Sequence, residues 1–218
     1  MSRVRPLAPA VLALLALGAC HKNDAATASR SAPTSGAGAV QSSGPSHDTS
    51  TSLAVNEVAA KQPGAINLTS SAFQPNSVIP DQFAAQGQNT SPPLSWSADP
   101  AAKAYALIVE DPNAPTPKPF VHWVVWNIAA NVHELPVGIS EVPVTVQPMT
   151  QGVNGAKQAV WHGPQPPKGD GPHHYHFQLF ALDAPLNLPA GSDREAVVTA
   201  MKGHVIGQAD LVGLYQTK

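Results

Sequence analysis

Two stretches near the middle of the chain are apolar at almost every position: Ala104-Tyr105-Ala106-Leu107-Ile108-Val109 and Trp123-Val124-Val125-Trp126-Asn127-Ile128. A strand with one wet face alternates apolar and polar residues, so unbroken runs predict strands covered on both faces, inside a sheet. With their flanks these runs give strands at 104–110 and 122–128, and β-branched or aromatic runs bounded by turn residues predict others at 66–68, 142–146, 173–182 and 211–215. Only one segment reads as a helix. Ser192-Asp193-Arg194-Glu195 has the capping-box spacing, Val197, Val198 and Met201 form an apolar stripe, and Gly203 can close the last turn. Many strands and few helices predict a mainly β domain, an antiparallel β-sandwich with a few short helices.

The N-terminal quarter follows different rules. Arg3 and Arg5 precede an apolar run from Leu7 to Leu17 that ends Leu17-Gly18-Ala19-Cys20, the order of a bacterial secretory signal. That run is too short to span a bilayer. Cys20, the sole cysteine, stands where a lipoprotein signal places its lipid-attachment site, so residues 1–19 are expected to be the leader and Cys20 the anchor. Acyl chains contribute about 0.8 kcal/mol per buried methylene, and two or three of them anchor far more firmly than one. His21, rather than Asp, after the cysteine favours the outer membrane, facing the periplasm. Residues 20–64 are rich in Ala, Ser, Thr, Gly and Pro without an apolar period, which predicts a disordered tether, roughly 35–40 Å end to end. The folded domain is expected at 65–218, long enough for one core.

Composition narrows the function. The formal charge is −2 and becomes more negative if Arg3 and Arg5 leave with the leader; with no basic run, nucleic acid is not expected as a partner. The chemistry-bearing types gather near predicted strand ends. Gly163-Pro164-Gln165-Pro166-Pro167-Lys168-Gly169 is a proline-stiffened loop that leads into His173-His174-Tyr175-His176-Phe177. Alternation puts His173, Tyr175, Phe177 and Leu179 on one face of that strand and His174, His176, Gln178 and Phe180 on the other. Asp111 ends one central strand and His122 opens the next, each beside another proline-rich turn. Taken one at a time, Asp111 reads as a turn cap and His122 as a core or edge residue. Together, Asp111, His122, His173 and Tyr175 could converge on one polar pocket, with glycine amides available to ligand oxygens.

At these residues the chain resembles the phosphatidylethanolamine-binding protein family, in its bacterial Raf kinase inhibitor-like branch. The resemblance rests on Ser91-Pro92-Pro93-Leu94-Ser95-Trp96, Asp111-Pro112-Asn113-Ala114-Pro115, His122 to Ile128, Gly163 to Pro167, and Gly203-His204 through Gly213-Leu214-Tyr215. It implies a β-sandwich with a small anion-binding pocket, to which Asp111, Pro115, His122, Pro166, His173 and Tyr175 would contribute. Three positions depart from the family pattern: Asn113 stands for the usual second Asp, Gln165 for a frequent Cys, and His174 for the Arg of a His-Arg-Tyr run.

The function expected is that of a lipid-anchored envelope module binding a small anionic or phosphate-containing ligand, such as a phospholipid head group. Two other classes stay open. One is an inhibitor or interaction domain for an envelope protein or protease; the other is a weak hydrolase or metal-dependent enzyme, since Asp, His and Tyr supply acid–base groups and metal ligands. No His-Glu-x-x-His motif, Gly-x-Ser-x-Gly elbow or P-loop is present, so no cofactor or metal is expected.

Overall fold

In the computed structural model, residues 48–61, 66–141 and 149–218 are described. The leader, Cys20, most of the tether and the strand expected at 142–146 lie outside them. The chain is built of strands in two sheets with few short helices. The small sheet joins β1 (Leu68–Thr69), β3 (Leu94–Trp96) and β6 (Glu134–Leu135) in the order β1-β3-β6. The large one joins β2 (Ser77–Val78), β9 (Val205–Tyr215), β8 (His173–Leu182), β4 (Ala104–Asp111), β5 (Phe120–Ala129) and β7 (Thr150–Gln151), in that order. Among the described residues every pairing is antiparallel except one: β2 lies parallel to β9, which departs from the all-antiparallel expectation.

The two apolar runs are β4 and β5, and both lie inside the large sheet as their patterns require. Every residue of β4 is buried. One face, carrying Tyr105, Leu107, Val109, Trp123, Val125, Phe177 and Leu179, packs toward Leu68, Leu94, Trp96 and Leu135 of the small sheet. The opposite face, with Ala106, Ile108, Val124, Trp126, Phe180 and Leu182, is covered by helices α1 (Ala54–Glu57) and α2 (Arg194–Met201). A sandwich with a helical third layer therefore explains why these strands lack alternation. Each fully buried Val, Leu or Phe on either face contributes about 1.5–3 kcal/mol.

The helix expected after Ser192 forms, but its cap is displaced by one residue. Asp193 is the N-cap and accepts from the Ala196 amide at 3.0 Å, while the Ser192 hydroxyl donates to the Pro189 carbonyl. Glu195 instead meets Lys118 at 2.8 Å. Asp and Ser cap equally well, and the turn before the helix leaves Asp193 nearer the free amides.

A larger difference concerns residues 48–61, assigned above to the disordered tether. They form a strap across the helical face of the large sheet, with Leu53, Ala54 and Val58 buried. The Ala54 amide donates to Glu110 Oε2 at 2.8 Å and the Val55 amide to Gln178 Oε1 at 2.7 Å. Arg194 donates through Nη2 to the Ser52 carbonyl and pairs with Glu57 and with the buried Glu110, each of these ion pairs at 2.9 Å. Thr49 reaches the Pro112 carbonyl with both its amide and its hydroxyl, each at 3.0 Å. The strap is fixed by side chains far along the chain, so its own polar sequence does not announce it.

Candidate functional site

The site begins with a register shift between β4 and β5. Val109 is opposite Trp123, yet the next residue, Glu110, is opposite Val121, so His122 is the extra residue of a β-bulge. Regular alternation would put His122 on the face of Val124 and Trp126. The bulge turns it instead toward Tyr175, whose ring centroid is 5.1 Å away, and Trp161 at 6.3 Å. Phe120 lies on the same side, 4.9 Å from His122. Val121 takes the face of Glu110 and the strap.

Asp111, the last residue of β4, carries its carboxylate on that same pocket side. Its Oδ2 accepts from His173 Nδ1 at 2.8 Å, and its Oδ1 accepts the Asn113 amide at 2.8 Å, closing a turn at the start of the proline-rich loop. Both Asp111 and His173 are buried, at 3% and 4% exposure. This bond fixes the His173 tautomer and leaves Nε2 3.9 Å from the carboxylate of the half-exposed Asp170.

The loop after Trp161 forms the facing wall. His122 Nδ1 donates to the His162 carbonyl, and the His162 amide donates back to the His122 carbonyl at 2.9 Å. Gly163 is locked: a Cβ there would overlap the Phe83 carbonyl, and its amide donates to Asn89 Oδ1 at 2.8 Å. That amide is thus already committed, contrary to the expectation that it serves a ligand. The Thr217 hydroxyl donates to the Pro166 carbonyl at 2.6 Å and the Ala85 amide to the Pro164 carbonyl at 3.1 Å, so the stiff loop is also stapled.

Between these walls lies a cavity of about 280 Å³. Asp111, Pro115, His122, Pro166 and His173, all expected at the site, line it. Tyr175 stands behind the lining, fully buried, with its hydroxyl making no hydrogen bond among the described residues. Phe120, His162 and Thr116 line the cavity too and were not anticipated. His162 adjoins the Gly163 loop by a single residue, a signal that was available. Phe120 could be placed only with the bulge in hand.

Burial governs the site's electrostatics. It lowers the pKa of His122 to about 4, with the nearby Asp111 charge opposing the fall, so the ring is neutral at pH 7. With Nδ1 donating to a carbonyl, Nε2 is the unprotonated nitrogen, and it has no partner among the described residues. Burial also lowers the pKa of His162 and raises that of Tyr175, whose ionisation the Asp111 charge opposes further.

The remaining histidines of β8 point the other way. His174 is exposed, and its amide and Nδ1 both meet Asn113 Oδ1, at 2.9 and 3.0 Å. Two of the three departures from the family pattern therefore touch each other, an Asn–His contact standing where the pattern has Asp and Arg. His176 pairs with Asp210 at 2.7 Å on the strap face. The third departure, Gln165, lines the cavity.

A profile described as phosphatidylethanolamine-binding protein matches residues 69–216. The chain belongs to that family. A UPF0098 protein of Methanothermobacter thermautotrophicus is 41% identical over 152 residues, covering 69% of this chain and 99% of its own. LppC of Mycobacterium tuberculosis, named as a candidate lipoprotein, is 35% identical over 156 residues, covering 69% of this chain and 72% of its own. Among solved structures, Escherichia coli YbcL, described as a new member of the mammalian PEBP family, superposes with a TM-score of 0.66 at 31% identity. That likeness spans 71% of this chain and all of YbcL. The strap at 48–61 precedes the family match. Among the described residues, no helix is long and apolar enough to cross a membrane.

Proposed function

We propose that this PEBP-family domain binds a small anionic or phosphorylated ligand in the cavity between Asp111, His122 and the 162–167 loop, a phospholipid head group being one example. The observation that carries this reading is a small open cavity with polar hydrogen-bonding groups held around it at little conformational cost. His122, which lines the cavity, spends Nδ1 on the His162 carbonyl and leaves Nε2 without a partner among the described residues. Behind it the buried Tyr175 hydroxyl also makes no hydrogen bond there. Prolines and the aromatic ring of Phe120 supply the apolar remainder of the wall, as small-molecule sites generally require.

The test is titration calorimetry with inorganic phosphate and with phosphoethanolamine at about pH 5, where the phosphoryl group of each carries mostly one negative charge. Saturable heat that His173→Ala abolishes supports the reading, and absence of binding for both ligands sinks it.

We further propose that the domain is tethered to the bacterial envelope through a lipid on Cys20, with the outer membrane as its address. The leader-like order of residues 3–20, His21 after the cysteine and the naming of LppC support this. Labelling with a palmitate analogue should mark the wild type and not Cys20→Ser, and fractionation should place the labelled protein with outer-membrane markers. Equal labelling of both proteins rules the anchor out.

A further inference from the structure

The cavity has an unusual charge inventory for an anion site. Of the residues lining it, none is Lys or Arg. Its fixed charge is negative, the buried carboxylate of Asp111, and the half-exposed Asp170 adds a second carboxylate near His173. The titratable groups that face His122 are Asp111 from β4, His162 from the facing loop, and His173 and Tyr175 from β8. An anion entering this space meets a carboxylate and no permanent cation to offset it. In a poorly screened interior, each further negative charge on the ligand adds a repulsion that grows as the effective dielectric falls.

On the reading that the cavity binds an anion, we infer that it takes up its ligand together with a proton, received on His122 Nε2, and so selects singly charged oxyanions such as phosphodiesters over doubly charged phosphomonoesters. The geometry assigns the proton to that atom. His122 Nδ1 is already committed to the His162 carbonyl, and protonating Nε2 leaves that bond intact while creating a second donor. With the proton on His122, Asp111, the imidazolium and a singly charged ligand sum to one negative charge. A dianion would raise that sum to two in the same poorly screened space.

Burial supports the assignment, because it keeps the ring neutral until an anion arrives. His122 is therefore not a standing positive charge. The bulge matters here: without it, His122 would lie on the strap face and the cavity would lose the group that accepts the proton.

The experiment compares dimethyl phosphate, a monoanion throughout the working range, with methyl phosphate, which becomes a dianion above about pH 6. Both are titrated into the wild-type protein at pH 5.5, 6.5 and 7.5, in pairs of buffers with different ionisation heats. Dimethyl phosphate affinity is expected to fall towards tenfold per pH unit as pH rises, with close to one proton taken up per bound ligand. At pH 7.5 methyl phosphate should bind at least tenfold more weakly than dimethyl phosphate. His122→Asn, whose amide can still donate to the His162 carbonyl, should lose the proton uptake while keeping its melting temperature within a few degrees. His176→Gln, on the other face, should behave as wild type.

Methyl phosphate binding that tightens with pH, or dimethyl phosphate binding with no buffer-dependent heat, overturns the inference while leaving an anion site intact. If neither ester binds at any pH, the anion reading itself fails and this inference with it. The wild-type buffer comparison decides the matter even if His122→Asn does not fold.

Discussion

Glu110 and Asp111 are adjacent carboxylates at the end of one strand, and they serve opposite faces of the sheet. Glu110 is held by Arg194 Nε, Gln178 Nε2 and the Ala54 amide, so that nearly all its capacity to accept is spent on protein. Asp111 holds one histidine and one amide, beside an open cavity. On the strap face a buried charge is closed off by its partners and fastens a chain segment; on the pocket face a similar charge is left beside groups that still lack partners. A fully satisfied network specifies structure, whereas a partly satisfied one leaves groups open to a ligand.

The contrast predicts different penalties. The largest belongs to Arg194→Met, which leaves Glu110 buried without its counter-charge. It should cost about 3–5 kcal/mol, a fall in melting temperature on the order of 10 °C. Glu110→Met combined with Arg194→Met should recover most of that loss, and calorimetric melting of the two proteins checks it. If the single change is as mild as the double, the strap face is not organised by this ion pair.

Next is the response to acid. The folded pKa of His122 lies near 4, below the ordinary value of 6.5, so as pH falls the unfolded chain takes the proton first. Stability is therefore lost from about pH 6.5 down to about 4 and levels off below, by roughly 3 kcal/mol in total at about 1.4 kcal/mol per pH unit. Denaturant midpoints measured across that window should show the decline, and His122→Asn should flatten it. A wild-type curve as flat as the variant's would contradict the buried neutral ring.

Asp111→Asn keeps an acceptor for His173 while removing the charge. It should cost only about 1 kcal/mol in unfolding, much less than Arg194→Met, yet narrow the preference for monoanionic esters. A loss in stability equal to that of Arg194→Met would erase the distinction between the faces. Smallest is Thr49→Val, which deletes the hydroxyl bond to Pro112 but keeps the amide bond, for about 0.5–1 kcal/mol. Amide hydrogen exchange at residues 49–55 should rise, with cavity residues unaffected.

What could be read in advance follows from how local the determining forces are. Strand β8 was legible to the residue because its pattern lies between the glycines that precede it and the Asp183-Ala184-Pro185 turn that follows, and the apolar runs of β4 and β5 report their own burial. Strand β1 overlaps the run expected at 66–68, whereas the two-residue strands β2, β6 and β7 are too short to show a period and exist through pairing alone. The strap escaped notice because its fastenings, Glu110, Gln178 and Arg194, come from other parts of the chain. Of the cavity lining, Asp111, Pro115, His122, Pro166 and His173 could be named in advance. Phe120 could not, since the side His122 faces depends on a bulge that appears only once β4 and β5 are in register.

The sequence separations of these contacts also set the order in which the molecule can assemble. Asp111 and His173 are 62 residues apart, Glu110 and Arg194 are 84 apart, and Ser52 and Arg194 are 142 apart. Contacts this distant must overcome loop-closure entropy before they return any stability, which puts folding in the slower range of milliseconds to seconds. Strand β8 cannot be flanked on both sides until β9, the last strand of the chain, has been made. A nascent chain that ends before Val205 therefore carries a long unpaired edge on β8 beside an incomplete core, and the strap, first to be synthesised of the described residues, waits for Arg194 to arrive.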